Sequence, residues 1–188
     1  MGHRGSSEVM LADMGIVGRM QEMRFGAYHT NTQAQLEALR ACRAFAEHPE
    51  GTLLLIGAVG TGKTHLAVSI CQETCGTYTT LMRLVRNVRE TYRRGCPDSE
   101  QDRIDFWSDR AMLAVDEVGV QACSDSERML LYEIINQRNN FDLPTVLVSN
   151  ETLETVGTIL GERTMDRIAE RGRVVLFTWA SYRRRANG

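Results

Sequence analysis

The chain has 188 residues, 43% of them hydrophobic, which is apolar material enough for one core and calls for no second domain. Its formal net charge of −2 excludes a general attraction to nucleic acid, so any such contact must come from a local basic cluster. No stretch reaches the apolar length of a membrane span and no secretory leader opens the chain; five cysteines, odd in number and without a C-x-x-C pair, read as reduced thiols of a cytoplasmic protein.

Residues 1–7 look in part like a cloning scar. Residues 1–24 are set apart as an amino-terminal arm, in which Met10, Leu11, Met14, Ile16, Val17, Met20 and Met23 recur at roughly helical intervals broken by Gly15 and Gly18. A helix is predicted from the capping Thr32 to His48-Pro49, followed by an apolar strand over 52–56 and a helix from Lys63 to about Cys75. Next come a strand at Tyr78 to Met82, a helix at Leu84 to Arg94, a breaker at Gly95 to Asp98 and a helical stretch at about 99–108. Apolar strands at 112–115, 146–148 and 174–177, with a helix from about Ser126 to Arg138, complete the pattern. Short, fully apolar strands alternating with helices predict an α/β fold with a mainly parallel sheet covered on both faces.

Between the first strand and the helix that follows it, Gly57-Ala58-Val59-Gly60-Thr61-Gly62-Lys63-Thr64 matches G-x-x-x-x-G-K-[ST] in its required context. Glycines there let successive backbone N–H groups turn inward around an anion, and the following helix adds its positive end. Lys63 is expected to reach the β- and γ-phosphates, and the Thr64 hydroxyl to ligate Mg²⁺, with His65 following at the start of the helix. The 112–115 strand ends in Asp116-Glu117, at the edge where open α/β sheets bind ligands. Asp116 is placed to hold the Mg²⁺ shell and Glu117 to orient and polarise an attacking water, so ATP hydrolysis is the expected chemistry.

At the end of the 146–148 strand, Asn150 reads either as an amide facing the γ-phosphate or as the cap of a following helix. Arg163 and Arg167 fall four apart on one helix face, which is either a solvated surface or the source of an arginine finger. Arg83, Arg86, Arg89, Arg93 and Arg94 cluster with Tyr92 after the second strand; basic residues beside a stacking aromatic are what single-stranded DNA binding needs, with Arg89, Tyr92 and Arg93 as the candidates.

The phosphate loop, Val115 to Gln121, Ile135 to Arg138, Pro144-Thr145, Leu160 to Arg167 and Trp179-Ala180-Ser181-Tyr182-Arg183 together resemble the AAA+ ATPase domain of the DnaC-type replicative helicase loaders, in the DnaC/IstB-like ATP-binding family. The likeness runs from about Phe25 to Arg185, within an ATPase domain set at residues 25–188, and its carboxyl-terminal motifs are the specific ones. It implies a P-loop fold of AAA+ type with a five-stranded sheet and little or no lid domain. It implies Asn150 as the sensor-1 residue, Arg167 as a trans-acting finger with Arg163 beside it, and Arg183 as a sensor-2 arginine on nucleotide. It further implies ATP-dependent head-to-tail assembly, single-stranded DNA and a hexameric DnaB-like helicase as partner. Two departures stand out: only the arm precedes the match, where such loaders carry a helicase-gripping region, and Ala122 to Glu127 replaces a basic or aromatic DNA-contact segment. An IstB-type transposition helper gripping duplex DNA is the nearest alternative. A small phosphotransferase is a more distant one, for which residues 95–110 supply no convincing lid.

Overall fold

The computed structural model describes residues 9–119 and 124–182. Five strands, β1 (Thr52–Gly57), β2 (Thr77–Thr80), β3 (Leu113–Asp116), β4 (Thr145–Ser149) and β5 (Arg173–Phe177), form one sheet in the order β2-β3-β4-β1-β5, with all four pairings parallel. Parallel strands need crossovers; among the described residues six helices supply them, and with a seventh that precedes β1 they cover both faces. These are α1 (Gln33–Glu47), α2 (Lys63–Thr74), α3 (Leu81–Arg89), α4 (Glu100–Ser108), α5 (Asp125–Asn140), α6 (Leu153–Leu160) and α7 (Glu162–Arg171).

The three inner strands are buried on both faces, which explains why they read as unbroken apolar runs. One face packs Leu53, Leu55, Ala114, Val146 and Val148 against α1 and α2; the other packs Leu54, Ile56, Val115 and Leu147 against α3, α4, α5 and α7. The strand order puts β1 between β4 and β5 and brings the β1 and β3 carboxyl ends, where the loop and the acid pair sit, to one edge of the sheet.

Helix starts follow local chemistry closely. Thr32, Ser99 and Ser124 each form a reciprocal capping box, with Gln35, Asp102 and Glu127 respectively. The Ser124 box starts α5 one residue before the predicted Ser126. Capping also corrects the second strand. It ends at Thr80, not Met82, because the Thr80 hydroxyl accepts the Arg83 N–H and opens α3 there. The helix then stops at Arg89 instead of reaching Arg94, and a 3₁₀ turn at Glu90–Tyr92 follows.

The arm is packed onto the domain. Residues 9–13 form a helical turn, Met14, Ile16 and Phe25 are buried in the α1/α2 core, and Met20 and Met23 pack against it. Its backbone is tied down as well. The Gln72 amide donates to the Met20 and Met23 carbonyls, and the Tyr78 N–H on the free edge of β2 donates to the Met14 carbonyl at 2.7 Å.

Candidate nucleotide site

The loop between β1 and α2 adopts the backbone its glycines allow. Gly57, Gly60 and Gly62 have φ of 151°, 80° and 97°, and Gly62 is the left-handed residue from which α2 starts. Lys63, 4% exposed, folds back so that Nζ donates to the Gly57 and Ala58 carbonyls at 2.6 and 2.8 Å. Burial pulls its ammonium below the usual lysine range, with the charge of Asp116 opposing. Lys63 forms no ion pair among the described residues. A buried cation held by neutral carbonyl and hydroxyl dipoles, at the start of a helix, is a site made for an anion.

Opposite the loop, Asp116 is 4% exposed and collects three donors: the Thr64 hydroxyl at 2.7 Å and the Tyr78 hydroxyl at 2.9 Å on Oδ2, and the Glu117 N–H at 2.6 Å on Oδ1. Burial, with the carboxylates of Asp116 and Glu117 nearby, pushes the Tyr78 phenol far up, so it is a proton donor at any working pH. Glu117 turns into the left-handed region at φ 61°, which leaves its side chain exposed at the mouth while its neighbour is buried. Ser149 secures the turn, its hydroxyl donating to the Val118 carbonyl.

These groups line one cavity of about 370 Å³. Val59 to His65, Asp116, Glu117 and Asn150 all face it, so the structure brings together the loop, both carboxylates and the amide that were read from sequence. Asn150 is not a helix cap: Thr152 caps α6, its hydroxyl accepting the Thr155 N–H. Gly57 and Ala58 serve instead through their carbonyls on Lys63.

Residues without an assigned role complete the cavity. Tyr28, Met23 and His29 come from the segment before α1, with the Tyr28 and His65 rings edge to face at 5.4 Å. Burial pushes the Tyr28 phenol up to about 12. From beyond β5, the Trp179 indole N–H donates to the Thr61 carbonyl at 2.9 Å and the Tyr182 N–H to the Gly60 carbonyl at 2.9 Å. The chain thus returns to the phosphate loop immediately before Arg183, which lies outside the described residues, as do Ala122 and Cys123 of the segment Ala122 to Glu127 that departs from the loader pattern. The Trp179 to Arg183 motif was the available signal for this wall; nothing local in the sequence pointed to Tyr28 or Tyr78.

Two groups of predicted residues lie elsewhere. Arg163 is exposed on α7, and the Arg167 guanidinium donates to Asn140 Oδ1 at 3.0 Å beside Gly51 and Thr52, at the amino end of β1. Arg89 pairs with Glu127 at 3.2 Å on α5, while Tyr92, 65% exposed, donates to Glu100 at 2.8 Å. Arg93 and Tyr92 are past the end of α3, so the basic group straddles a helix and a turn where a single helix face was expected.

Residues 3–188 match the family described as IstB-like ATP binding protein. The chain belongs to that family. Within it, the chain is similar to the replicative helicase loader DnaC of Escherichia coli (strain K12), 31% identical over 183 residues that cover 93% of this chain and 74% of that protein. Its fold is similar to the crystal structure of the DnaC helicase loader, with a TM-score of 0.74 at 23% identity over 85% of this chain and 99% of that one. It is likewise similar to that of DnaI, at 0.68 and 20% over 83% and 93%. The family is one of ATP-binding proteins, and the fold shared with these structures is that of an AAA+ type P-loop domain, in which the cavity is the candidate nucleotide site. No described helix is long and apolar enough to cross a membrane. Residues 95–110 hold a packed helix, α4, whose Ile104 and Trp107 are in the core, so a mobile phosphotransferase lid is not built from it.

Proposed function

We propose that the protein is a cytoplasmic DnaC-like loader: an ATPase of slow turnover whose ATP-bound form assembles on single-stranded DNA and acts on a hexameric DnaB-like helicase, with hydrolysis as the release step. The observation that carries this reading is the joining of loop, acid pair and carboxyl-terminal segment around one cavity, in a chain 31% identical to DnaC of Escherichia coli over 93% of its length.

Lys63 and the loop N–H groups take the phosphate charge of ATP, and Trp179 and Tyr182 hold the loop in its cradle shape. The Thr64–Asp116 pair fits Mg²⁺, a hard cation that takes hydroxyl and carboxylate oxygens and, when bound, offsets phosphate charge. Glu117, exposed at the mouth, orients the attacking water and takes up its proton; Asn150 donates to the γ-phosphate or to that water.

Arg167 acts on a neighbouring subunit's nucleotide, with Arg163 beside it. Its own nucleotide is out of reach: Arg167 lies by the first residues of β1, and the loop begins after the last, about 20 Å away for a six-residue strand. A finger that serves only a neighbour requires head-to-tail contact. Arg167→Ala is therefore expected to keep ATP affinity while turnover falls by about 10³-fold. Wild-type specific activity should rise with protein concentration and that of the variant should not; normal turnover by Arg167→Ala at every concentration would refute the trans role.

Arg83, Arg86, Arg89 and Arg93 are exposed near Tyr92 and supply the DNA contact. The IstB-like family match also favours a second reading, a transposition helper on duplex DNA. Fluorescence anisotropy of labelled oligonucleotides with a non-hydrolysable ATP analogue, with ADP and with neither separates the two. The loader reading expects single-strand binding that needs the ATP analogue. A duplex preference would favour the transposition helper, and indifference to nucleotide would sink both.

A further inference from the structure

We propose that Tyr78 is the positioning residue of the metal site, fixing the Asp116 carboxylate for Mg²⁺ from outside the cavity; this rests on the reading of Thr64 and Asp116 as the metal-holding pair. Tyr78 sits mid-way along β2, its ring 5% exposed, and does not line the nucleotide cavity. Its hydroxyl makes one hydrogen bond, donated to Asp116 Oδ2 at 2.9 Å. The same oxygen accepts from Thr64 at 2.7 Å. Thr64 therefore has two tasks, because its hydroxyl oxygen is also the expected metal ligand, and Tyr78 has one. Once the Thr64 hydroxyl turns to the cation, the Tyr78 bond is the side-chain restraint that remains on Oδ2, while the Glu117 N–H restrains Oδ1. Donors behind a ligating carboxylate orient it and hold it ionised, and losing such a partner typically costs 10- to 100-fold in metal affinity.

Tyr78 is itself held in place. β3 pairs with one side of β2, placing Tyr78 beside Ala114 two residues before Asp116. On the free side the Tyr78 N–H donates to the Met14 carbonyl at 2.7 Å, and Gly15, at φ 79°, lies so close that a Cβ there would strike the Tyr78 carbonyl oxygen. With strand and arm gripping the backbone, the phenol has one place to point. Tyr78 falls outside the motifs read from the sequence, and its position on an edge strand explains why the sequence pattern did not show it.

The test compares Tyr78→Phe, which removes only the hydroxyl, with Asp116→Asn, measuring the dissociation constant of a fluorescent ATP analogue in Mg²⁺ and in EDTA. Tyr78→Phe is expected to leave the EDTA value unchanged, because the phosphate loop is intact, and to cut the Mg²⁺-dependent gain in affinity by about 10-fold. Tyr78→Met, which fills the space without a donor, is expected to do the same if the phenylalanine variant folds poorly. A full Mg²⁺ gain in Tyr78→Phe alongside its loss in Asp116→Asn would overturn the role of Tyr78 while leaving the metal pair standing. Equal weakening in Mg²⁺ and EDTA would make Tyr78 merely structural. A full gain in Asp116→Asn would overturn the metal pair and this inference with it.

Discussion

Arg138→Ala is expected to lower unfolding stability by about 3–5 kcal/mol, read from the urea midpoint, and the melting temperature by roughly 10 °C. Arg138 lies on α5 with no exposed surface and spends all its donor nitrogens inward. Nη1 donates to the Ser108 and Arg110 carbonyls at 2.9 and 2.6 Å, Nη2 to Pro144 at 2.7 Å, and Nε to the Thr145 hydroxyl at 2.9 Å. The Ser108 and Arg110 carbonyls are the free end of α4 and of the turn leading into β3, which attract a cation through the helix dipole as well, and the Pro144 carbonyl, which also accepts the Leu113 N–H, precedes β4. Burial pulls the guanidinium down to about 10, with Asp109 opposing, so it stays charged at neutral pH. Where both partners of a buried ion pair are side chains, replacing them together by apolar groups can be harmless. Here most partners are backbone carbonyls that no substitution removes, so truncation leaves those of Ser108 and Arg110 dry and unpaired. Arg138→Lys should recover only part of the loss, since one ammonium cannot reach all four acceptors on two separate chain segments. A change below about 1 kcal/mol for Arg138→Ala would show that water replaces the guanidinium at no cost.

Arg138 also marks the boundary of what the residues disclosed. It was read only as one letter of a family motif, because a buried arginine looks like a surface one until the fold closes over it. The inner strands were legible, since β1, β3 and β4 are covered on both faces and carry no polar interruption. So was the phosphate loop, whose spacing is set by backbone torsions within eight residues. The β2–α3 junction was less so: Thr79 and Thr80 suit a strand, and only the capping bond to Arg83 decides that the second of them begins a helix. The arm misled for a related reason. Its apolar residues follow an incomplete helical period because they pack one by one against α2 and β2, guided by Gln72, Ser69 and Tyr78, and not along one helix face. The walls contributed by Tyr28 and Tyr182, far apart in the chain, depend on tertiary return and leave no local trace.

Lys63→Ala is expected to weaken ATP binding by at least about 100-fold, or about 2.7 kcal/mol, with little harm to the fold. The two consequences share one cause. In the structure the ammonium is desolvated, forms no ion pair among the described residues, and is bonded to two carbonyls of a loop that other contacts already secure: the Trp179 indole and the Tyr182 N–H hold the Thr61 and Gly60 carbonyls from outside. Its charge is stored for a phosphate, so its removal takes away affinity and little stability. Thermal shift separates these effects directly. A ligand at 100 times its dissociation constant stabilises the native state by about 2.7 kcal/mol, so ATP should raise the melting temperature of the parent by several degrees and leave that of Lys63→Ala nearly unmoved. Glu117→Gln is the complementary case. Its side chain stands exposed at the mouth and is not bonded to the loop, so the ATP shift should persist while turnover falls by about 10² to 10⁴, the usual worth of a general base. If Lys63→Ala kept the full shift, the phosphates would have to lie away from the loop; if Glu117→Gln turned over normally, the water-orienting role would have to pass to another group at the mouth, and Asn150, an amide, cannot accept the proton.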